Sequence, residues 1–133
     1  MPGALLDTSI VIDAADPAVA GVVAGLPAVA VSCVTLAELA AGPHLTSDRA
    51  ERARRQARLQ QAEALLEPLP FDAGAARSFG MVVAAVAAAG RTQRGRLADL
   101  LIAATAHSNG LSLYTRNPAD FAGLEDLVLV VAV

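Results

Sequence analysis

Ala4-Leu5-Leu6-Asp7-Thr8-Ser9-Ile10-Val11-Ile12 is the stretch from which the fold class follows. Its first three residues make a short buried strand. An acid stops that strand, and a helix is expected directly behind it over residues 8–14. A strand that ends in a carboxylate and passes at once into a helix opens a chain of alternating strands and helices.

The alternation continues outward. Pro17 opens an apolar helix over residues 17–26, at a position that tolerates proline. Residues 28–31 are β-rich and bounded by Pro27 and Ser32, so they read as a strand. Ser32 caps a helix that carries Glu38 and stops at Gly42-Pro43. Asp48 with Glu51 resembles a capping box opening a long helix to about residue 66. Residues 67–71 are a strand interrupted by prolines, hence an edge strand. Asp72 caps a helix over 73–89 that Gly90 ends. A further helix spans 97–108 and stops at Asn109-Gly110. Strands follow at 111–115 and 127–131, with a turn at Asn117-Pro118 between them. Strands separated by helices predict a parallel α/β sheet. Ligands of such sheets sit beyond the carboxyl ends of the strands, the edge where Asp7 and Asn117 fall.

The chain has 133 residues, 55% of them hydrophobic, enough for a sizeable core. Alanine supplies much of that fraction, so the mean hydropathy of +0.51 overstates the core's depth. No apolar run is long enough to span a membrane. The N-terminus lacks the basic region and cleavage pattern of a secretion signal, and Asp7 and Asp13 interrupt its apolar run, so a cytoplasmic location is expected. Cys33 is the single cysteine, which excludes an intramolecular disulfide and a cysteine-rich zinc site, and a buried structural thiol is expected there. The net charge of −3 speaks against a simple nucleic-acid binder. Yet all the basic residues are arginines, clustered at Arg49, Arg52, Arg54, Arg55 and Arg58 and again at Arg91, Arg94 and Arg96. A GC-rich coding bias explains the missing lysine but not the clustering.

Three carboxylates, Asp7, Glu38 and Asp99, stand inside apolar segments, where a charge is costly unless a cation meets it. Convergence on a divalent metal is the economical explanation. Hard oxygen ligands suit Mg²⁺ or Mn²⁺, and such a site can activate water for hydrolysis. Without the ion, the clustered acids would repel one another and raise at least one pKa.

Four segments carry a resemblance. Leu5-Leu6-Asp7-Thr8-Ser9, the run from Val31 to Leu39, the run from Leu97 to Ala106, and Tyr114-Thr115-Arg116-Asn117-Pro118-Ala119-Asp120-Phe121 resemble, in order and spacing, the four motifs of PIN-domain ribonucleases. The VapC toxins of bacterial toxin–antitoxin pairs are the most similar group. The resemblance implies one three-layer α/β/α PIN-like domain over residues 1–133 with a central parallel sheet. It also implies an Mg²⁺- or Mn²⁺-dependent endoribonuclease that leaves a 5′-phosphate and a 3′-hydroxyl. Asp7, Glu38 and Asp99 match the family's acidic, catalytic and metal-binding positions. The family often has an acid after the Thr-Arg pair. Here Asn117 stands there, and Asp120 is the candidate for a fourth metal ligand. Thr8, Ser9, Thr115 and Asn117 are expected to orient carboxylates or waters. Arg91, Arg94, Arg96 and Arg116 are the candidate contacts to the RNA backbone. The expected partners are an RNA substrate and a VapB-like antitoxin, in a homodimer that becomes a heterotetramer or larger with the antitoxin; no membrane partner is implied.

Plainer readings stand beside these. Asp7 could merely cap the following helix, and Glu38 could be a solvated helix residue. Asp99 suits a helix N-terminus without any metal. The Arg49–Arg58 run is expected to be a solvated face paired with Glu51 and Glu63. His44 and His107 lack zinc-site spacing. A haloacid-dehalogenase-like phosphatase also opens with a strand ending in Asp. It requires a second Asp where Ser9 stands, and a lysine that this chain lacks. A non-catalytic PIN-like binding module is the remaining alternative.

Overall fold

The computed structural model describes residues 3–92 and 94–133. Five parallel strands form one sheet in the order β3-β2-β1-β4-β5. They are β1 (Ala4–Leu6), β2 (Val29–Ser32), β3 (Glu67–Leu69), β4 (Ser112–Thr115) and β5 (Val130–Ala132). The helices are α1 (Thr8–Ile12), α2 (Pro17–Ala24), α3 (Cys33–Ala41), α4 (Arg49–Leu65), α5 (Ala73–Ala88) and α6 (Leu97–Ser108). Short 3-10 turns cover Gly42–Leu45 and Pro118–Phe121.

The pleat of β1 divides the core. Leu5 points to one face, where it joins Val82, Val86, Leu100, Ile102 and Leu113 beneath α5 and α6. Leu6 points to the other, with Ile10, Val19, Val31, Leu39 and Ala62 beneath α1 to α4. Successive residues of a strand face opposite sides, so one dipeptide seeds both layers of the α/β/α sandwich.

The chain runs from β1 to β2 and β3 on one side, then returns to β4 and β5 on the other. The β1–β4 pair is therefore the switch point at which such sheets open a crevice. Leu6 pairs with Tyr114, and the amide of Asp7 continues the ladder by donating to the Tyr114 carbonyl at 2.9 Å.

Caps account for most helix starts. Asp16 accepts from the Ala18 amide with Pro17 at the first helical position. Ser32 accepts from Val34, Asp48 from Ala50, and Asp72 from Ala75. The capping box at α4 does not close, because Glu51 turns to Arg54 and Arg55 instead. Helix α2 is shorter than expected: Gly25 and Leu26 donate to Val22 and Val23, a tightened last turn that ends it at Ala24. β5 starts three residues late. Leu127 and Val128 still donate to the Leu124 carbonyl, so the chain is coiled until Val128. Cys33 is exposed rather than buried, since it occupies the first turn of α3 just past the capping Ser32, outside the core.

Candidate active site

The switch point places Asp7 at the carboxyl end of β1, only 5% exposed. It is the residue before α1, yet its side chain makes no cap bond. Its Oδ2 instead accepts two hydroxyl bonds, from Ser9 Oγ and from Thr115 Oγ1, each at 2.8 Å. Those hydroxyls are themselves held by the backbone. Ser9 Oγ accepts from the Arg116 amide at 3.1 Å, and Thr115 Oγ1 from the Asn117 amide at 3.0 Å. Ser9 of α1 and Thr115 of β4, both held by the backbone at the β4 exit, thus serve as a fixed donor pair for the β1 carboxylate, and Oδ1 takes no bond among the described residues.

Glu38 reaches the same rim from α3. Thr8 Oγ1 donates to its Oε1 at 2.7 Å, and Thr8 lies 2.9 Å from Thr35 Oγ1. The Thr8 proton is committed to Glu38, so Thr35 is the donor in the second bond. Thr35 is fully buried one turn before Glu38. Thr35 lies in the run from Val31 to Leu39 but was not among the expected site residues; its i, i+3 spacing to Glu38 on a helix is the signal that points to it.

Asp99 lies in the first turn of α6 and is half-buried. Burial pushes its carboxyl up to about 6, and the negative charges of Asp7, Asp120 and Glu38 add to the shift, against a smaller opposing effect of Arg96. Asp99 is thus near enough to feel the other three acids. None of them takes part in an ion pair among the described residues. Among the described residues, no three Asp, Glu, His or Cys side chains stand close enough together to hold a metal ion. Asp120, half-buried, sits in the Pro118–Phe121 turn, and Asn117, which precedes that turn, is exposed.

The candidate arginines divide. Arg91 Nη2 donates to the Ala119 carbonyl at 3.3 Å and Arg96 Nη1 to that of Asp120 at 2.9 Å, so both clamp the turn that carries Asp120. Arg116 points to Asp16 at 3.3 Å and Asp13 at 3.7 Å. The Asp16 carboxyl is held below its usual range by the Ala18 amide and by Arg116. Arg94 is exposed in the loop before α6.

This geometry, a parallel sheet whose switch point gathers carboxylates from β1, α3 and α6, has close counterparts. The PIN domain family matches residues 4–126. Ribonuclease VapC5 of Mycobacterium tuberculosis is 41% identical over 97 residues, which are 73% of this chain and 69% of that protein. The crystal structure of VapBC-5, a toxin–antitoxin system of M. tuberculosis, superposes with a TM-score of 0.82 at 38% identity, covering 99% of this chain and 100% of that one. FitAcB from Neisseria gonorrhoeae gives 0.79 at 28% identity, covering 96% and 95%. The chain belongs to the PIN-domain family, in its VapC-type group.

Proposed function

We propose that the protein is a metal-dependent endoribonuclease toxin, kept silent by a VapB-like antitoxin, that acts on RNA in the cytoplasm. The carrying observation is the rim itself: four carboxylates in no ion pair among the described residues, two of them aimed by hydroxyl bonds, buried or part-buried at Asp7 and exposed at Glu38. Its donor set consists of hard oxygens, with one oxygen of Asp7 and one of Glu38 tied by hydroxyls. That chemistry fits Mg²⁺ or Mn²⁺. Asp7, Glu38 and Asp99 would hold the ion, with Asp120 the fourth carboxylate of the rim.

When bound, the ion supplies an oriented, more acidic water and neutralises charge developing on the phosphodiester. The chain's own residues do the rest. Ser9 and Thr115 fix Asp7, and Thr35 fixes Thr8, which fixes Glu38. Arg91 and Arg96 hold the Asp120 turn. Water attacks the phosphorus in line, and the 3′-oxygen leaves.

The antitoxin reading is supported by the VapBC relatives and by a groove of about 380 Å³ between α1, α2 and α4, lined mainly by apolar side chains such as Ile10, Val19, Val23 and Leu65. An apolar helix of the partner fits there. Helix α2 buries only Val19 in the core, and its Ala20, Val23 and Ala24 line that groove.

Asp7→Asn and Asp99→Asn are each expected to lower RNA cleavage at least a hundredfold while far-UV circular dichroism stays unchanged. EDTA should stop cleavage of a total-RNA sample, and Mg²⁺ or Mn²⁺ restore it. Undiminished cleavage by either variant, or hydrolysis of small phosphomonoesters with RNA untouched, defeats the reading.

A further inference from the structure

A second pocket, also about 380 Å³, opens directly beside Glu38 and Thr8 and runs between α3 and α4. Its size falls in the ~300–1,000 Å³ range of sites for small molecules. Its near wall is the candidate active site and its far wall is α4, with Glu51, Arg55 and Arg58. The α4 arginines, expected from sequence to be one solvated face, have separate employments. Arg52 donates to the Pro43 and Thr46 carbonyls. Arg54 and Arg55 share Glu51, and Arg55 also donates to the Gly42 carbonyl at 2.8 Å. The two guanidiniums hold the Glu51 carboxyl below its usual range, so that acid is neutralised inside the pocket. Arg58 is half-buried and enters no ion pair among the described residues. Glu63, expected to pair within this run, is exposed and in none of these pairs either.

We propose that this pocket receives the nucleotide flanking the scissile phosphate, and that Arg58 binds that nucleotide's phosphate. The inference rests on the ribonuclease reading and extends it to the course of the strand, which leaves the carboxylate rim along α3 and α4. Arg58 is the cation the pocket offers beyond the Glu51 cluster, and a guanidinium matches a phosphate through paired N–H donors. The contact is to the backbone, so it positions the strand without choosing a base.

The test measures binding without cleavage. Asp99→Asn is the parent, and a fluorescein-labelled single-stranded RNA of mixed sequence in Mg²⁺ is titrated by anisotropy at several salt concentrations. Adding Arg58→Ala is expected to raise Kd roughly tenfold. It should also flatten the slope of log affinity against log salt by about 0.7, the loss of one phosphate contact on a single strand. Arg58→Lys should keep the slope and recover part of the affinity. Arg49→Ala, on the exposed face of the same helix, should change neither. Equal effects of Arg49→Ala and Arg58→Ala would reduce the result to general charge and overturn the proposal. So would an unchanged Kd and slope for Arg58→Ala, or a loss confined to binding of the co-expressed antitoxin at the neighbouring groove. Wild-type protein that cleaves no RNA in Mg²⁺ fails the ribonuclease reading, whereas cleavage by the wild type with an unchanged Kd and slope for Arg58→Ala fails this proposal alone, which separates the two.

Discussion

Asp7 is a nearly buried carboxylate whose hydroxyl donors come from both sides, Ser9 on α1 and Thr115 at the end of β4. A side chain in that position can serve as a helix cap or as a site ligand, and sequence leaves the two readings open. The absence of any cap bond resolves the question of capping. Thr115→Val keeps the shape and removes the donor. On the proposed mechanism it should weaken Mg²⁺ affinity and cleavage by about 10- to 100-fold, readable by isothermal titration and RNA cleavage, as for other groups that orient metal ligands. Thr8→Val should do the same through Glu38. Asp99 adds a pH signature. Its carboxyl is raised to about 6 in the fold, so the protonated form is favoured there. The sign follows: this group's contribution to stability is full below the unfolded value near 4 and is lost as pH rises through about 6. In EDTA, Asp99→Asn should therefore melt above the wild type at pH 7 to 8, and that advantage should vanish by about pH 4. A constant difference across that window would mean that Asp99 is not strained by its neighbours.

Helices and strands were legible where a local signal fixes them. Ser32, Asp48 and Asp72 cap the helices that sequence assigned to them, and Asp16, which sequence did not single out, caps the helix that Pro17 opens. The proline-interrupted β3 lies at the sheet edge, where a missing amide donor is tolerated. Asp72→Ala should cost about 1 kcal/mol through the lost bond to the Ala75 amide, measurable by denaturant unfolding. A loss near zero would show that α5 is held by packing alone. Elsewhere a side chain takes a partner that the expected pattern does not show. Glu51 leaves the capping box for two arginines. Arg91 and Arg96, the candidate RNA contacts before Asp99, reach 28 and 24 residues onward to brace the Pro118–Phe121 turn. No local pattern announces such bonds, because the acceptors are backbone carbonyls that every residue carries.

At the scale of the whole molecule, the strand order makes the site. Asp7, Glu38 and Asp99 are separated by 31 and 61 positions along the chain, by subtraction of their numbers. They meet because β1 lies between β2 and β4 and its end opens the crevice. Among the described residues no helix is long and apolar enough to cross a membrane. The apolar surplus of α2 instead faces a groove beside the rim. The amino-acid sequence by itself determined the alternation of strands and helices, the capped starts and the acids stranded in apolar runs, because these depend on spacing and on a residue's nearest neighbours. Only the tertiary structure decided which hydroxyls aim Asp7 and Glu38, which arginines are spent on the fold, and that Arg58 faces a pocket beside the acids. Those are contacts between elements far apart in the chain, and their geometry exists only once the sheet is assembled.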